Sequence, residues 1–131
     1  MNDMIRISKH SIPEVQETYE ETIEDPGMHY GTYRGEIDGD QIKMSSHRLW
    51  TFFEKSLECV ECGLKGEFFA KEKNHESEGR PHLNLYAVKD GEEILMTKDH
   101  IHPKSKGGDN HLDNYQTMCL PCNEEKGAEI Q

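Results

Sequence analysis

The chain has 131 residues and a formal net charge of −11, with 33% hydrophobic and 31% charged residues. That is the length of one domain with a core small for its size, so two catalytic domains are excluded and something besides apolar burial must hold the fold. No apolar run approaches the ~20 residues of a membrane helix and the N-terminus lacks a secretory stretch, so the expectation is a soluble cytoplasmic protein with no membrane partner.

In chain order, Ser11-Ile12-Pro13-Glu14 has the form of a capping box, and Ile12, Val15, Tyr19 and Ile23 follow at helical spacing. A helix over about 12–24 is predicted, ended by Asp25-Pro26-Gly27. Residues 28–44 carry Gly31, Gly35 and Gly39, with Asp38-Gly39 as a turn signal, and fit a weak hairpin or an irregular arm equally well. Ser45 or Ser46 can cap a second helix in which Leu49, Trp50, Phe53 and Leu57 share one face and lead into Cys59. Strands are predicted at 67–71 and through Leu83, Leu85 and Ala87, with a polar loop between them. Lys89-Asp90-Gly91 turns the chain into Ile94-Leu95-Met96-Thr97, a hairpin ending at Asp99-His100. The loop 103–110 contains Gly107-Gly108, and a last short helix begins near Pro121 and stops at Gly127.

Residues 1–44 hold ten acids and four bases (−6), and residues 45–131 hold sixteen acids and eleven bases (−5). Neither part is basic, which is awkward for a phosphate binder. Within 98–108, however, Lys98, Lys104 and Lys106 outnumber Asp99.

In a reducing compartment four cysteines set as two Cys-x-x-Cys pairs read first as a metal site rather than as disulfides. Each pair presents two thiolates from one turn, so Cys59, Cys62, Cys119 and Cys122 complete a closed structural zinc site with no position left open for catalysis. Fifty-six residues separate Cys62 from Cys119, so the ion would clip together the two ends of an inserted unit.

From Met96 to Gly127 the chain reads MTKDHIHPKSKGGDNHLDNYQTMCLPCNEEKG. Asp-His-Ile-x-Pro, a Gly-Gly loop, an Asn shortly before Cys-x-x-Cys-Asn and a Lys soon after resemble the HNH endonucleases of the ββα-metal superfamily, of bacterial or bacteriophage type. The resemblance covers 59–127 and extends to the preceding helix, and it says nothing of residues 1–44. It implies an α+β fold: a small ββα-metal nuclease core at 45–131 stapled by the four-cysteine zinc site, with an acidic N-terminal helical arm at 1–44.

By the same resemblance His100 is the general base, and histidine is the side chain whose ordinary pKa suits that task near neutrality. Asp99 and Asn123 offer a carboxylate and an amide oxygen, donors that suit a catalytic Mg²⁺ or Mn²⁺. Asn114 matches the middle Asn of the pattern, which braces the loop and orients the histidine. The last His of the family name is Asn123 here. Lys104, Lys106 and Lys126 are candidates for phosphate contacts. His102 is a ligand, a phosphate contact or a loop residue. Strand alternation puts Asp99 and His100 on opposite faces, so the strand must end or twist there.

The implied activity is metal-dependent hydrolysis of DNA phosphodiester bonds. The alternative is a catalytically inactive zinc-stabilised module that binds nucleic acid or protein, which would not need Asp99, His100 and Asn123 together. The acidic arm is expected either to limit nonspecific cutting or to dock on a partner protein.

Overall fold

A computed structural model describes residues 4–75 and 79–127. It divides the chain into two compact units, residues 1–46 with 67–86 and residues 47–66 with 87–131.

The first unit begins with strand β1 (Ile5–Ser11), which the sequence reading did not anticipate, and passes directly into helix α1 (Ile12–Thr22). The predicted box is half present: the Ser11 hydroxyl accepts from the Glu14 N–H at 3.2 Å, while the Glu14 carboxylate bonds His10 Nδ1 instead. Val15 and Tyr19 form the inner stripe of α1 and are fully buried. The Tyr19 hydroxyl meets His29 Nε2 at 2.7 Å, on a 3₁₀ turn at Pro26–Tyr30. Residues 28–44 resolve the open choice as that turn followed by a hairpin, β2 (Arg34–Ile37) and β3 (Asp40–Lys43). Asp38 and Gly39 both have positive φ (51° and 84°), as a two-residue Asp-Gly turn requires.

The same unit takes in strand β4 (Phe68–Lys73) and most of β5 (His82–Lys89). β1 pairs antiparallel with β4, with a register shift between Arg6 and Ser8, and β4 pairs antiparallel with β5. Alternation sends Phe69, Leu83 and Leu85 inward, each at most 2% exposed. The Lys71 ammonium, almost wholly buried, bonds the carbonyls of Ile37 and Asp38 at 3.1 and 3.0 Å and Asp40 Oδ2 at 2.7 Å, tying β4 to the hairpin. Residues 1–44, expected as an acidic arm with a short helix, hold that helix as α1 and carry β1, β2 and β3 as well. They are bound by hydrogen-bonded strands to residues 67–86. Deleting residues 1–44 removes the strand paired with β4 and the helix packed on it. That truncation is expected to bind a hydrophobic dye and lose part of its cooperative melt, because burial of each large apolar side chain contributes about 1.5–3 kcal/mol. An unaltered melting curve would show that the arm packs on nothing essential.

The second unit starts with helix α2 (His47–Glu54), whose Leu49, Trp50 and Phe52 are buried. The predicted face shifts: Phe53 is half-buried and Leu57 lies beyond the end of the helix. After the first cysteine pair the unit resumes within β5 at residue 87, and Asp90 and Gly91, again both at positive φ, turn the chain into β6 (Glu92–His100). β6 pairs antiparallel with β7 (Tyr115–Cys119), from Met96 opposite Cys119 to His100 opposite Tyr115. Helix α3 (Leu120–Lys126) follows at once, with Pro121 in its first turn. The strand pair that precedes the helix is thus β6 with β7, joined by the long loop 101–114, rather than the tighter hairpin read from Asp90-Gly91. The result is a small α+β fold containing a ββα unit and four clustered cysteines. Among the described residues no helix is long and apolar enough to cross a membrane.

Candidate active site and metal centre

Cys59-Val60-Glu61-Cys62-Gly63 forms a tight knuckle, closed by the Gly63 N–H on the Cys59 carbonyl at 2.9 Å with Gly63 at φ 79°. The Val60 N–H reaches the Thr117 carbonyl at 2.9 Å, which brings the knuckle against β7, where Cys119 ends the strand and precedes α3. The four sulfurs lie within 4.8 Å of one another, and Cys62 Sγ is 3.7 Å from Cys119 Sγ. A disulfide needs about 2.05 Å. Zinc with four sulfurs at about 2.3 Å makes tetrahedral edges of about 3.8 Å. The donor set and its spacing therefore fit a tetrahedral metal ion.

Burial pushes the Cys59 thiol up, but backbone N–H groups of Cys62, Cys119 and Glu61 outweigh it and bring the group down to about 7. Burial raises the thiols of Cys119 and Cys122. Metal must displace those protons, so uptake at pH 7 is expected to release roughly two or more per ion, detectable with an indicator dye. The sign follows: thiolate ligands are favoured as pH rises, and metal is lost as pH falls. Uptake without proton release would argue against thiolate ligation.

The second cluster stands where β6 ends. Asp99, His100, Lys98, Lys104, Asn123 and Lys126 line one pocket of about 260 Å³. The tension over alternation is thereby resolved: Asp99 is buried, His100 is half-buried at the end of the strand, and both reach the pocket. Asp99 Oδ2 accepts from Gln116 Nε2 at 2.9 Å and lies 3.1 Å from the Lys126 ammonium. The same ammonium is 3.4 Å from Oδ1 and donates to the His100 carbonyl at 3.1 Å. Lys126 is 5% exposed.

The His100 ring stands edge-on to Tyr115, centroids 5.1 Å apart, and its Nε2 meets Asn110 Oδ1 at 2.8 Å. With the proton assigned to Nε2 by that oxygen, the lone pair is on Nδ1. Asn123 Nδ2 donates to Thr97 Oγ1 at 2.8 Å, and that hydroxyl donates to the Met118 carbonyl at 2.7 Å. The amide oxygen of Asn123 is thus left as an acceptor on a residue lining the pocket. A carboxylate and an amide oxygen in one pocket fit a hard divalent cation.

The remaining expected residues are placed differently. Asn114 accepts from the His102 N–H at 2.8 Å and donates to the carbonyls of His102 and Asp109, so it braces the loop. The group on the His100 ring is Asn110, which the sequence reading passed over although it lies two residues beyond Gly107-Gly108. His102 Nε2 meets the Lys106 carbonyl, and His102 lines a different pocket of about 390 Å³ with Gly107, Gly108 and Asp109. A Cβ on Gly108 would collide with the His102 carbonyl, so that close approach requires glycine. Lys106 is exposed and does not line the Asp99 pocket, whereas Lys104 does. Lys98 sits 4.5 Å from the Tyr115 ring centroid, and its pKa is lowered by burial and then by the positive charges of Arg48 and Lys104. Arg48 therefore belongs to the same basic edge, and only the fold brings it there from α2.

A family model described as HNH endonuclease matches residues 88–131. That segment carries the HNH endonuclease signature. The match takes in β6, β7, α3 and the second cysteine pair, and begins after Cys59 and Cys62. No curated protein and no solved structure matches the chain. The HNH segment points to a nuclease acting on nucleic acid, and its four-cysteine partner site can hold a metal ion.

Proposed function

We propose that the second unit is a metal-dependent endonuclease hydrolysing DNA phosphodiester bonds, stapled by structural zinc at Cys59, Cys62, Cys119 and Cys122. The observation that carries the reading is the convergence of Asp99, His100 and Asn123 on one pocket that Lys98 and Lys104 also line. His100 takes the proton of the attacking water on Nδ1, because Nε2 is committed to Asn110. Lys104 and Lys98, reinforced by Arg48, attract the phosphate. A Mg²⁺ or Mn²⁺ ion held by Asp99 and Asn123 would supply charge neutralisation at the phosphate and the departing oxygen.

One observation favours the rival reading of an inactive binding module: both Asp99 oxygens already have a cationic neighbour in Lys126. Supercoiled-plasmid nicking with and without Mg²⁺ separates the two. Metal-dependent nicking is expected, and DNA binding without any cleavage would favour the module.

The role given to Asn110 has its own consequence. Asn110→Ala frees the ring to turn and to change tautomer, so nicking is expected to fall roughly 10- to 100-fold, as for other lost orienting partners, at unchanged zinc content. Wild-type rates in that variant would show that the Nε2 contact is idle.

A further inference from the structure

Lys104, the phosphate contact of the reading above, is exposed, and Lys126 is not. Its side chain is 2% exposed, beneath the Asp99 carboxylate that is itself 7% exposed. A buried carboxylate without a counter-ion is costly, and a buried lysine equally so, hence each fixes the other. We propose that Lys126 is a positioning residue of the nuclease, which holds Asp99 in the place a divalent ion would take and sets how tightly that ion binds. This rests on the nuclease reading above.

Three contacts carry the inference. The ammonium lies 3.1 Å from Asp99 Oδ2 and 3.4 Å from Oδ1, so it faces both oxygens a metal would use. It also donates to the His100 carbonyl at 3.1 Å, so one group fixes the carboxylate and the main chain of the base. Finally, Lys126 lies three residues beyond Asn123 on α3, which puts it on the same face as the second oxygen donor. An incoming cation must share or displace the ammonium, which weakens its binding in the absence of substrate. The ammonium in turn holds the Asp99 carboxylate oriented while no metal is present.

The test uses the full zinc-loaded chain and Mn²⁺ as the probe, with free Mn²⁺ read by electron paramagnetic resonance without DNA. Lys126→Gln keeps a hydrogen-bond donor for Asp99 but removes the charge, and Lys126→Arg restores the charge. Mn²⁺ is expected to bind on the order of tenfold tighter to the Gln variant, as for removal of a unit positive charge near the site. The Arg variant should return toward wild type, and nicking should fall in the Gln variant despite tighter metal. Unchanged Mn²⁺ affinity together with weaker DNA binding would overturn the proposal and make Lys126 a phosphate contact. A wild type that binds Mn²⁺ and nicks, with a Gln variant equal to it in both, would overturn it for Lys126 alone. A wild type that neither binds Mn²⁺ nor nicks would overturn the nuclease reading and this inference with it. Should Lys126→Gln fail to fold, Lys126→Met combined with Asp99→Asn removes both charges and should bind Mn²⁺ more weakly than wild type; retained wild-type affinity there would exclude Asp99 as the ligand.

Discussion

His100→Ala is expected to lower plasmid nicking roughly 10²- to 10⁴-fold, the range that a positioned general base contributes. The ring has no second task in the fold that the loss would confuse. It is half-buried, and it meets the amide of Asn110 and stands perpendicular to the ring of Tyr115. The main chain of residue 100 keeps its pairing with Tyr115 and its carbonyl bond from Lys126 when the side chain is gone. Circular dichroism and zinc content should therefore match wild type. Nicking within about threefold of wild type would remove the base role, since no other group is proposed to take the proton.

Cys119→Ser is expected to act in the opposite way, through folding rather than chemistry. Cys119 is buried where β7 ends and α3 begins, so the strand beside Asp99 and the helix carrying Asn123 and Lys126 meet at a residue of the four-cysteine cluster. Structural zinc binding in small domains is about 10–16 kcal/mol, comparable with or larger than the 5–15 kcal/mol that separates a folded domain from its unfolded chain. The variant should therefore lose zinc and much of its second unit. The chain has one tryptophan, Trp50, buried in α2 of that unit, so a red-shifted emission reports the loss directly. A zinc-free variant with wild-type emission would show that the staple is dispensable.

Local chemistry made several elements legible from sequence. Ser11 before Pro13 and Glu14 marks the start of α1, and the pairs Asp38-Gly39 and Asp90-Gly91 mark two strand-to-strand turns whose residues take positive φ. The cysteine spacing was enough to expect a metal site. Strand β1 escaped because the register shift between Arg6 and Ser8 breaks the alternation that would announce it. β7 escaped because Tyr-Gln-Thr-Met-Cys is short and carries no alternating pattern, four of its five residues being buried. That residues 67–86 join residues 1–46 is a matter of strand partners, which sequence periodicity does not encode.

The site was legible as a set of residues but not as a set of roles. Asp99, His100 and Asn123 were named from the order of residue types, and they do line one pocket. Lys126 reads from the sequence as a candidate phosphate contact, and its burial against Asp99 emerges only in the fold. Asn110 and Asn114 are both near the Gly-Gly loop, and only the folded loop tells which one reaches the imidazole and which one ties the loop to itself.

Thr97 gives a polarity to the pocket that no charged residue there could. An asparagine side chain is nearly symmetric in shape but opposite in character at its two ends, and a half-turn exchanges donor for acceptor. The Thr97 hydroxyl spends its own hydrogen on the Met118 carbonyl, so toward Asn123 it can only accept. That one-way hydroxyl holds the NH₂ end of Asn123 and leaves the oxygen as the acceptor end. A single hydroxyl, two residues upstream of the Asp-His pair, thus sets which end of the Asn123 amide, midway along α3, is left to accept.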